Sequence, residues 1–244
     1  MSPLKSISRN IPNAITCLNL VSGTLACVYA LRGAAPTGGL RAYEVAAILI
    51  GCAAVFDFCD GLAARLLRAV SPMGKELDSL CDAVSFGVAP AMMVYALIDV
   101  AAPGSWLKYV ALLVAVCGAL RLARFNTDTT QAVSFLGLPI PANAIFWIGY
   151  CCWQYDNMQV LSGGGIYALA ALVVAVSLLM VCRLRMFSLK FKNFSLSGNW
   201  HRYLIALLTV VCVAAQGVPG LASAIIAYVA LSAVTHGRTK RMEA

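Results

Sequence analysis

Residues 57–82 read DFCDGLAARLLRAVSPMGKELDSLCD and hold an unusual concentration of acidic side chains. The chain has ten acidic residues, and four aspartates fall in this stretch: Asp57, Asp60, Asp78 and Asp82. Both flanks are apolar, with EVAAILIGCAAVF at 44–56 and AVSFGVAPAMMVYALI at 83–98. An ionised carboxylate costs about 2.5–3.5 kcal/mol at the centre of a membrane helix on insertion scales. Acidic residues beside such segments therefore indicate a functional site.

The spacing of the four aspartates predicts that they converge. Asp57 and Asp60 are three residues apart, and Asp78 and Asp82 are four apart, so each pair lies on one face of a helix. Four carboxylates brought together by two facing helices repel one another unless a cation lies between them. An all-oxygen set of ligands suits Mg²⁺ or Mn²⁺ and does not suit Zn²⁺. The pattern predicts a site for two such ions, a common device for displacement at phosphorus.

The residues between the aspartates complete a longer motif. Gly61 and Ala64 allow a ligand to approach the first helix, Gly74 precedes the second pair, and Arg65 can bind phosphate oxygens. The pattern D-x-x-D-G-x-x-A-R, eight residues, then G-x-x-x-D-x-x-x-D resembles the signature of the CDP-alcohol phosphatidyltransferase family at every fixed position. The alternative is a pair of helices whose aspartates form salt bridges with nearby cations.

Composition predicts the fold class. The 244 residues are 61% hydrophobic and 11% charged, against about 25% charged in an ordinary soluble domain. We expect an all-α polytopic membrane protein, a bundle of about eight transmembrane helices. It forms a single domain over 1–244, with the family core at 11–192 and an extra C-terminal pair at 203–235. The expected spans are about 11–31, 44–66, 77–99, 107–123, 139–155, 165–182, 203–216 and 218–235. The last two are short, so a re-entrant pair remains an alternative.

The charges predict the topology. Net charge is +8, and eight spans would put fifteen of the eighteen Lys and Arg residues on one side of the membrane. The positive-inside rule makes that side cytoplasmic. Both termini and the four aspartates then lie at the cytoplasmic face of a multi-pass cell-membrane protein. No soluble domain exists to carry a nucleic-acid groove, and ten scattered cysteines without C-x-x-C indicate neither a disulfide framework nor a zinc site.

The first span carries three polar residues on one face. Asn13, Thr16 and Asn19 recur every third residue, and such residues usually face a neighbouring helix or a cavity. Hydrogen bonding between helices is the simpler alternative. The family resemblance implies instead that this face helps to line a nucleotide pocket.

The resemblance also implies an activity. Members of the family transfer a phosphatidyl group from a CDP-activated lipid, here CDP-diacylglycerol, to an alcohol and release CMP. Segments at 12–23, 119–126, 137–143 and 188–191 resemble the bacterial and archaeal members that use L-serine. Relatives that use glycerol 3-phosphate typically have arginine where Asn19 stands, but that acceptor remains the alternative. A cation-coupled transporter is a more remote alternative, since the aspartates lie at one face and no internal repeat is visible.

Residue roles follow from the same resemblance. Homodimerisation within membrane lipids is expected from it alone. Asp82 is expected to act as general base and to complete a metal site formed with Asp57, Asp60 and Asp78. Arg121 and Arg124 are equally well explained as residues that set topology. The residues expected to bind the CDP-lipid are Asn13, Thr16, Gly61, Ala64, Arg65 and Gly74. Those expected near the acceptor or its phosphate are Asn19, Arg121, Arg124, Asn126 and Asn143.

Overall fold

Helices make up almost all of the computed structural model, which describes residues 3–127, 135–182, 184–186 and 196–242. Within those ranges the α-helices are α1 (Pro3–Leu31), α2 (Ala42–Leu66), α3 (Pro72–Asp82), α4 (Ala89–Ala101), α5 (Leu112–Thr127), α6 (Ile140–Asp156), α7 (Gly165–Val181), α8 (Leu196–Gln216) and α9 (Gly220–Met242). Two 3₁₀ helices, Trp106–Ala111 and Met158–Leu161, precede α5 and follow α6. The predicted all-α class is confirmed.

The predicted third span is one continuous rod with an irregular centre. A π-helical segment, Ala83–Val88, joins α3 to α4 without a break. The rod begins at Pro72, five residues earlier than expected, because the Ser71 hydroxyl caps it by accepting a hydrogen bond of 3.0 Å from the Gly74 amide. Counted with this rod, the described helices occupy all eight expected positions. Because α3 begins at Pro72, Gly74 lies inside its first turn rather than before it.

Four helical stretches among the described residues are long and apolar enough to cross a membrane: Asn10–Leu31, Ala42–Leu66, Pro72–Ala101 and Trp106–Thr127. Shorter apolar helices follow at Gly165–Val181, Trp200–Gln216 and Gly220–Val234. The structure therefore describes a multi-pass membrane protein by length and composition.

A tight turn between α2 and α3 sets the two aspartate pairs opposite each other. Helix α2 ends at Leu66, and Arg68 adopts a left-handed conformation with φ of 49°. The Ala69 amide then bonds to the Ala64 carbonyl oxygen at 2.9 Å. Ser71 and Pro72 start α3, as a hydroxyl at the cap and a proline in the first turn favour. Helix α1 packs against α2, α3 and α4, so its polar face reaches this turn.

Small residues and one amide hold the bundle together at its centre. Gly23 of α1 lies against Ser85 of the π-helical segment, with no room for a side chain. The Asn143 amide on α6 lies 3.5 Å from the Phe86 carbonyl oxygen and accepts a 3.0 Å bond from the Trp147 indole. The Phe86 carbonyl has no amide partner four residues further on, because Pro90 lacks an N–H, and the Asn143 amide supplies one, as a buried polar group requires.

The end of the bundle away from the aspartates is closed by short elements. The loop after α1 contains the two-residue strands β1 (Pro36–Thr37) and β2 (Leu40–Arg41), paired antiparallel. Arg41 forms a 3.4 Å salt bridge with Asp156 at the end of α6. At the opposite end, near the end of α7, strands β3 (Phe135–Leu136) and β4 (Arg185–Met186) pair in the same way. The predicted S-x-K-F segment at 188–191 lies outside the described residues.

Candidate active site

Three of the four aspartates converge. Asp57 and Asp60 from α2 and Asp78 from α3 each offer a carboxylate oxygen, and these oxygens lie within 4.8 Å of one another. Asp57 and Asp78 are within hydrogen-bonding reach of each other, and Asp78 Oδ1 is buried without a partner. Ionised carboxylates so close repel one another, and an orphaned buried oxygen is costly. Both features suit a divalent cation with oxygen ligands.

Asp82 stands apart from this group of three. It lies one turn beyond Asp78, at the last position of α3, and its Oδ1 accepts a 3.2 Å hydrogen bond from the Asn19 amide. Asp82 is thus bonded to α1, and its carboxylate also interacts electrostatically with Asp57 and Asp78. Asp82 lies next to the cluster, where it could serve as the expected base or as a ligand that completes the site.

Helix α1 also supports the cluster directly. The buried Thr16 hydroxyl donates a 2.5 Å hydrogen bond to Asp60 Oδ2, and it lies 3.0 Å from the Pro12 carbonyl oxygen. A bond of this kind fixes the orientation of a carboxylate that could ligate a metal. The polar face predicted on the first span thus faces both aspartate pairs.

A cavity of about 340 Å³ opens beside the cluster, and we call it the site cavity. Asp60 and Asp78 lie in its wall, whereas Asp57 and Asp82 do not. All six residues expected to bind the CDP-lipid line it: Asn13, Thr16, Gly61, Ala64, Arg65 and Gly74. The structure therefore brings together one end of α1, the end of α2 and the start of α3, as the motif predicts.

Two glycines shape the site cavity in different ways. A side chain at Gly61 would meet no atom within 4 Å and would project into open space. At Gly74 it would lie 3.1 Å from Asn13 Oδ1 and 3.1 Å from Ser71 Oγ, so that wall is tightly packed. The exposed Arg65 uses its Nε to donate a 2.9 Å bond to the Gly61 carbonyl oxygen, which leaves its terminal nitrogens for an anion.

Further lining residues were not predicted. The turn between α2 and α3 adds Ala69, Val70 and Ser71, the start of α3 adds Lys75, and α1 adds Pro12. A serine followed by proline is a helix-start signal, so Ser71 could have been found. Ala69 and Val70 have no such signal, because only the left-handed turn at Arg68 brings them to the cavity.

The residues expected near the acceptor separate into two groups. Asn19 and Arg121 are buried close to Asp82. Asn19 Oδ1 and Arg121 Nε are both buried without a hydrogen-bond partner. The Arg121 guanidinium also interacts electrostatically with the Asp82 carboxylate.

The other three residues of that set are engaged elsewhere. Arg124 donates a 2.8 Å bond to the Val181 carbonyl oxygen at the end of α7, and Asn126 donates a 2.8 Å bond to the Ser79 hydroxyl. Asn143 is fully buried with both ends of its amide occupied. None of the three lines the site cavity. Their bonds join helices; Arg124 has further N–H groups and Asn126 an amide oxygen that these bonds do not use, whereas both ends of the Asn143 amide are occupied.

The fold and the site define this protein as a helical membrane protein with a cluster of carboxylates beside a cavity. Sequence comparisons agree with this arrangement. The chain belongs to the CDP-alcohol phosphatidyltransferase family, whose model matches residues 9–181. The resemblance read from the motif is thereby confirmed. Enzymes of this family generally depend on a divalent metal, and the cluster of three aspartates fits that requirement.

Several relatives share a single name, CDP-diacylglycerol–serine O-phosphatidyltransferase. The protein from Mycobacterium bovis is 36% identical over 220 residues, which cover 86% of this chain and 72% of the relative. The one from Methanocaldococcus jannaschii is 34% identical over 171 residues, 70% of each chain. The one from Bacillus subtilis is 40% identical over 131 residues, 54% of this chain and 69% of the relative.

Proposed function

We propose that this protein transfers the phosphatidyl group of CDP-diacylglycerol to the hydroxyl of L-serine, forming phosphatidylserine and releasing CMP. The family and the names of the relatives support the reaction. The observation that carries the choice of acceptor is the pair of orphaned polar atoms beside Asp82.

Those two atoms complement the groups that distinguish serine from other alcohols. Asn19 Oδ1 can only accept a hydrogen bond, which suits an ammonium group, and Arg121 Nε can only donate one, which suits a carboxylate. Glycerol 3-phosphate has no ammonium group, so it could offer Asn19 Oδ1 only a neutral hydroxyl. A hydrogen bond from a charged donor is about twice as strong as a neutral one, so this pair of atoms favours serine.

In the proposed reaction, the donor CDP-diacylglycerol binds in the site cavity. The Asn13 and Thr16 face of α1 and the open wall at Gly61 would admit the cytidine, and Arg65 would bind a phosphate oxygen. Asp57, Asp60 and Asp78, with Asp82 at the margin, would hold Mg²⁺ or Mn²⁺, with two ions expected. Bound cations would neutralise the pyrophosphate and the charge that develops on departing CMP.

Transfer is a single displacement at the lipid-side phosphorus. The serine oxygen forms a bond to that phosphorus while the bond to the CMP oxygen breaks, and CMP leaves with the electron pair. Asp82 takes the hydroxyl proton. The Asn19 amide holds one oxygen of Asp82 at 3.2 Å, so the carboxylate is oriented before the substrate arrives. Its contribution lies mainly in that position.

We further propose eight spans, with both termini and the site at the cytoplasmic face of the cell membrane, and a homodimer. The distribution of cations supports the orientation, because fifteen of eighteen Lys and Arg would lie on the side of the aspartates. A cytoplasmic site gives a soluble acceptor direct access, while the acyl chains remain in the bilayer.

The test is CMP release by the purified protein in detergent with CDP-diacylglycerol and Mn²⁺ or Mg²⁺. Serine, glycerol 3-phosphate and no acceptor are compared, and each reaction is repeated with excess chelator. We expect release with serine only, lost with chelator and restored by added metal. Release only with glycerol 3-phosphate would keep the donor site and refute serine. Release that persists in chelator would refute the role of the three carboxylates.

A further inference from the structure

The last turn of α5 is bonded to two other helices through side chains that were expected near the acceptor. The Asn126 amide donates a 2.8 Å hydrogen bond to the Ser79 hydroxyl on α3, and the Arg124 guanidinium donates a 2.8 Å bond to the Val181 carbonyl oxygen. Val181 is the last residue of α7, where carbonyl groups lack partners within the helix. The end of α5 is therefore held between α3 and α7.

Ser79 occupies a particular position on α3, between Asp78 and Asp82. Its hydroxyl donates a 3.1 Å bond to the Lys75 carbonyl oxygen one turn earlier, so it can only accept the bond from Asn126. Successive residues of an α-helix are about 100° apart, which places Ser79 about 100° around the axis from Asp78 and about 60° from Asp82. The bond from α5 therefore acts on a face of α3 next to the one that carries the carboxylates.

A hydrogen bond on that face resists rotation of α3 about its own axis. On the aspartate side, α3 packs against α1, where the Asn19 amide bonds to Asp82 at 3.2 Å. Toward α4 the rod continues through the π-helical segment, and α5 packs on that segment and on α7. A carboxylate lies about 5 Å from the helix axis, so a rotation of about 10° would move it by about 1 Å. A displacement of that size can cost about 10²-fold in rate at a reaction centre.

We propose that Asn126 is a positioning residue for the carboxylates of α3. Its bond to Ser79, which we call the Ser79–Asn126 clasp, fixes the rotation of α3, so that Asp78 faces the metal site and Asp82 faces the acceptor hydroxyl. Asn126 itself touches no substrate in this role. The inference rests on the proposed function, because that function assigns Asp78 to metal binding and Asp82 to proton transfer. It predicts changes in turnover and in metal affinity, whereas a direct contact with serine would change KM for serine.

The test substitution is Asn126→Ala, which removes the amide that donates to Ser79. Thr127→Val is the matched control, because Thr127 is the next residue of α5 and its hydroxyl bonds to carbonyl oxygens of its own helix, at Ala123 and Arg124. Both variants are compared with the wild-type protein for steady-state CMP release and for binding of Mn²⁺. The Kd for Mn²⁺ is measured without substrate, from the electron paramagnetic resonance signal of the free ion.

For Asn126→Ala we expect kcat at saturating Mn²⁺ to fall about tenfold or more, and the Kd for Mn²⁺ to rise about tenfold, as for the loss of a group that orients a metal ligand. KM for serine and KM for CDP-diacylglycerol should each stay within twofold of the wild-type value. Thr127→Val should change none of these constants.

A double-mutant cycle with Ser79→Ala tests whether the effect passes through the clasp. Either single substitution breaks the same bond, so the double variant should lose no more than the more impaired single variant. Multiplying effects would overturn the inference, as would a rise in KM for serine with kcat unchanged. A lower unfolding temperature with unchanged turnover and Mn²⁺ affinity would also overturn it, because the bond would then only join helices. A wild-type protein that releases no CMP with serine would instead overturn the proposed function, while the Mn²⁺ comparison, made without substrate, still decides on the clasp.

Discussion

The contact between Gly23 and Ser85 is a sensitive point of the fold, because it sets the distance between α1 and the rod that carries Asp82. A methyl group at position 23 would collide with the Ser85 hydroxyl and lie 2.7 Å from Ser85 Cα and 2.8 Å from its Cβ. Carbon atoms pack best at about 3.5–4.0 Å. Gly23→Ala must therefore move α1 away by about 0.8 Å or more.

That displacement has a cost in stability and a cost in catalysis. Overpacking a well-packed core costs about 1–3 kcal/mol, so the variant should unfold at a lower temperature. Asn19 lies one turn before Gly23, and its 3.2 Å bond to Asp82 would lengthen to about 4 Å, beyond hydrogen-bonding distance. A misplacement of about 1 Å at a reaction centre can cost about 10²-fold in rate, so we expect turnover to fall between tenfold and a hundredfold.

The assay measures the temperature of half-inactivation and the rate of CMP release at saturating substrates. Gly51→Ala is the control, because Gly51 lies in the middle of α2 with no atom within 4 Å of an added methyl group. Alanine in a helix interior is favoured over glycine by about 0.5–1 kcal/mol, so the control should be as stable as wild type or slightly more so. A Gly23→Ala protein with wild-type stability and turnover would refute the claim that this contact positions Asp82.

Two further substitutions separate the cavity from the carboxylate cluster. Gly61→Val should leave the half-inactivation temperature within a few degrees of the wild-type value, because the added atoms enter open space. The same atoms fill part of the site cavity, so KM for CDP-diacylglycerol should rise at least tenfold. An unchanged KM would contradict a donor site in this cavity. Thr16→Val keeps the side-chain shape and removes the bond to Asp60, so the Mn²⁺ concentration for half-maximal activity should rise about tenfold. Metal dependence identical to wild type would show that the hydroxyl only bridges helices.

Much of the fold could be predicted because membrane helices follow from local composition. Apolar segments and the breaks between them give all eight helical positions, and Pro72, Gly217 and the glycines at 163–165 mark real boundaries. The π-helical segment at Ala83–Val88 was not predicted, although Pro90, which has no N–H for the Phe86 carbonyl, is a local signal for an irregular turn; its tertiary contacts could not be predicted. Ser85 bonds to the Asn19 carbonyl oxygen at 3.1 Å, and Asn143 approaches the Phe86 carbonyl. Both partners are more than fifty residues away in sequence.

The same contrast separates the two halves of the site. The donor side is mostly local: Asp57 to Asp78 lie within one turn-linked pair of helices, so fixed spacing in the sequence encodes their geometry. The residues expected near the acceptor are dispersed along the chain: Asn19 lies on α1 and Arg121 on α5, and a pattern within one segment cannot report that both interact with Asp82. Asn126 and Asn143 are polar residues at suggestive places in the sequence, yet their amides are bonded between helices. Since the family shares one donor and differs in acceptors, we expect acceptor specificity to reside in these long-range contacts rather than in the aspartate motif.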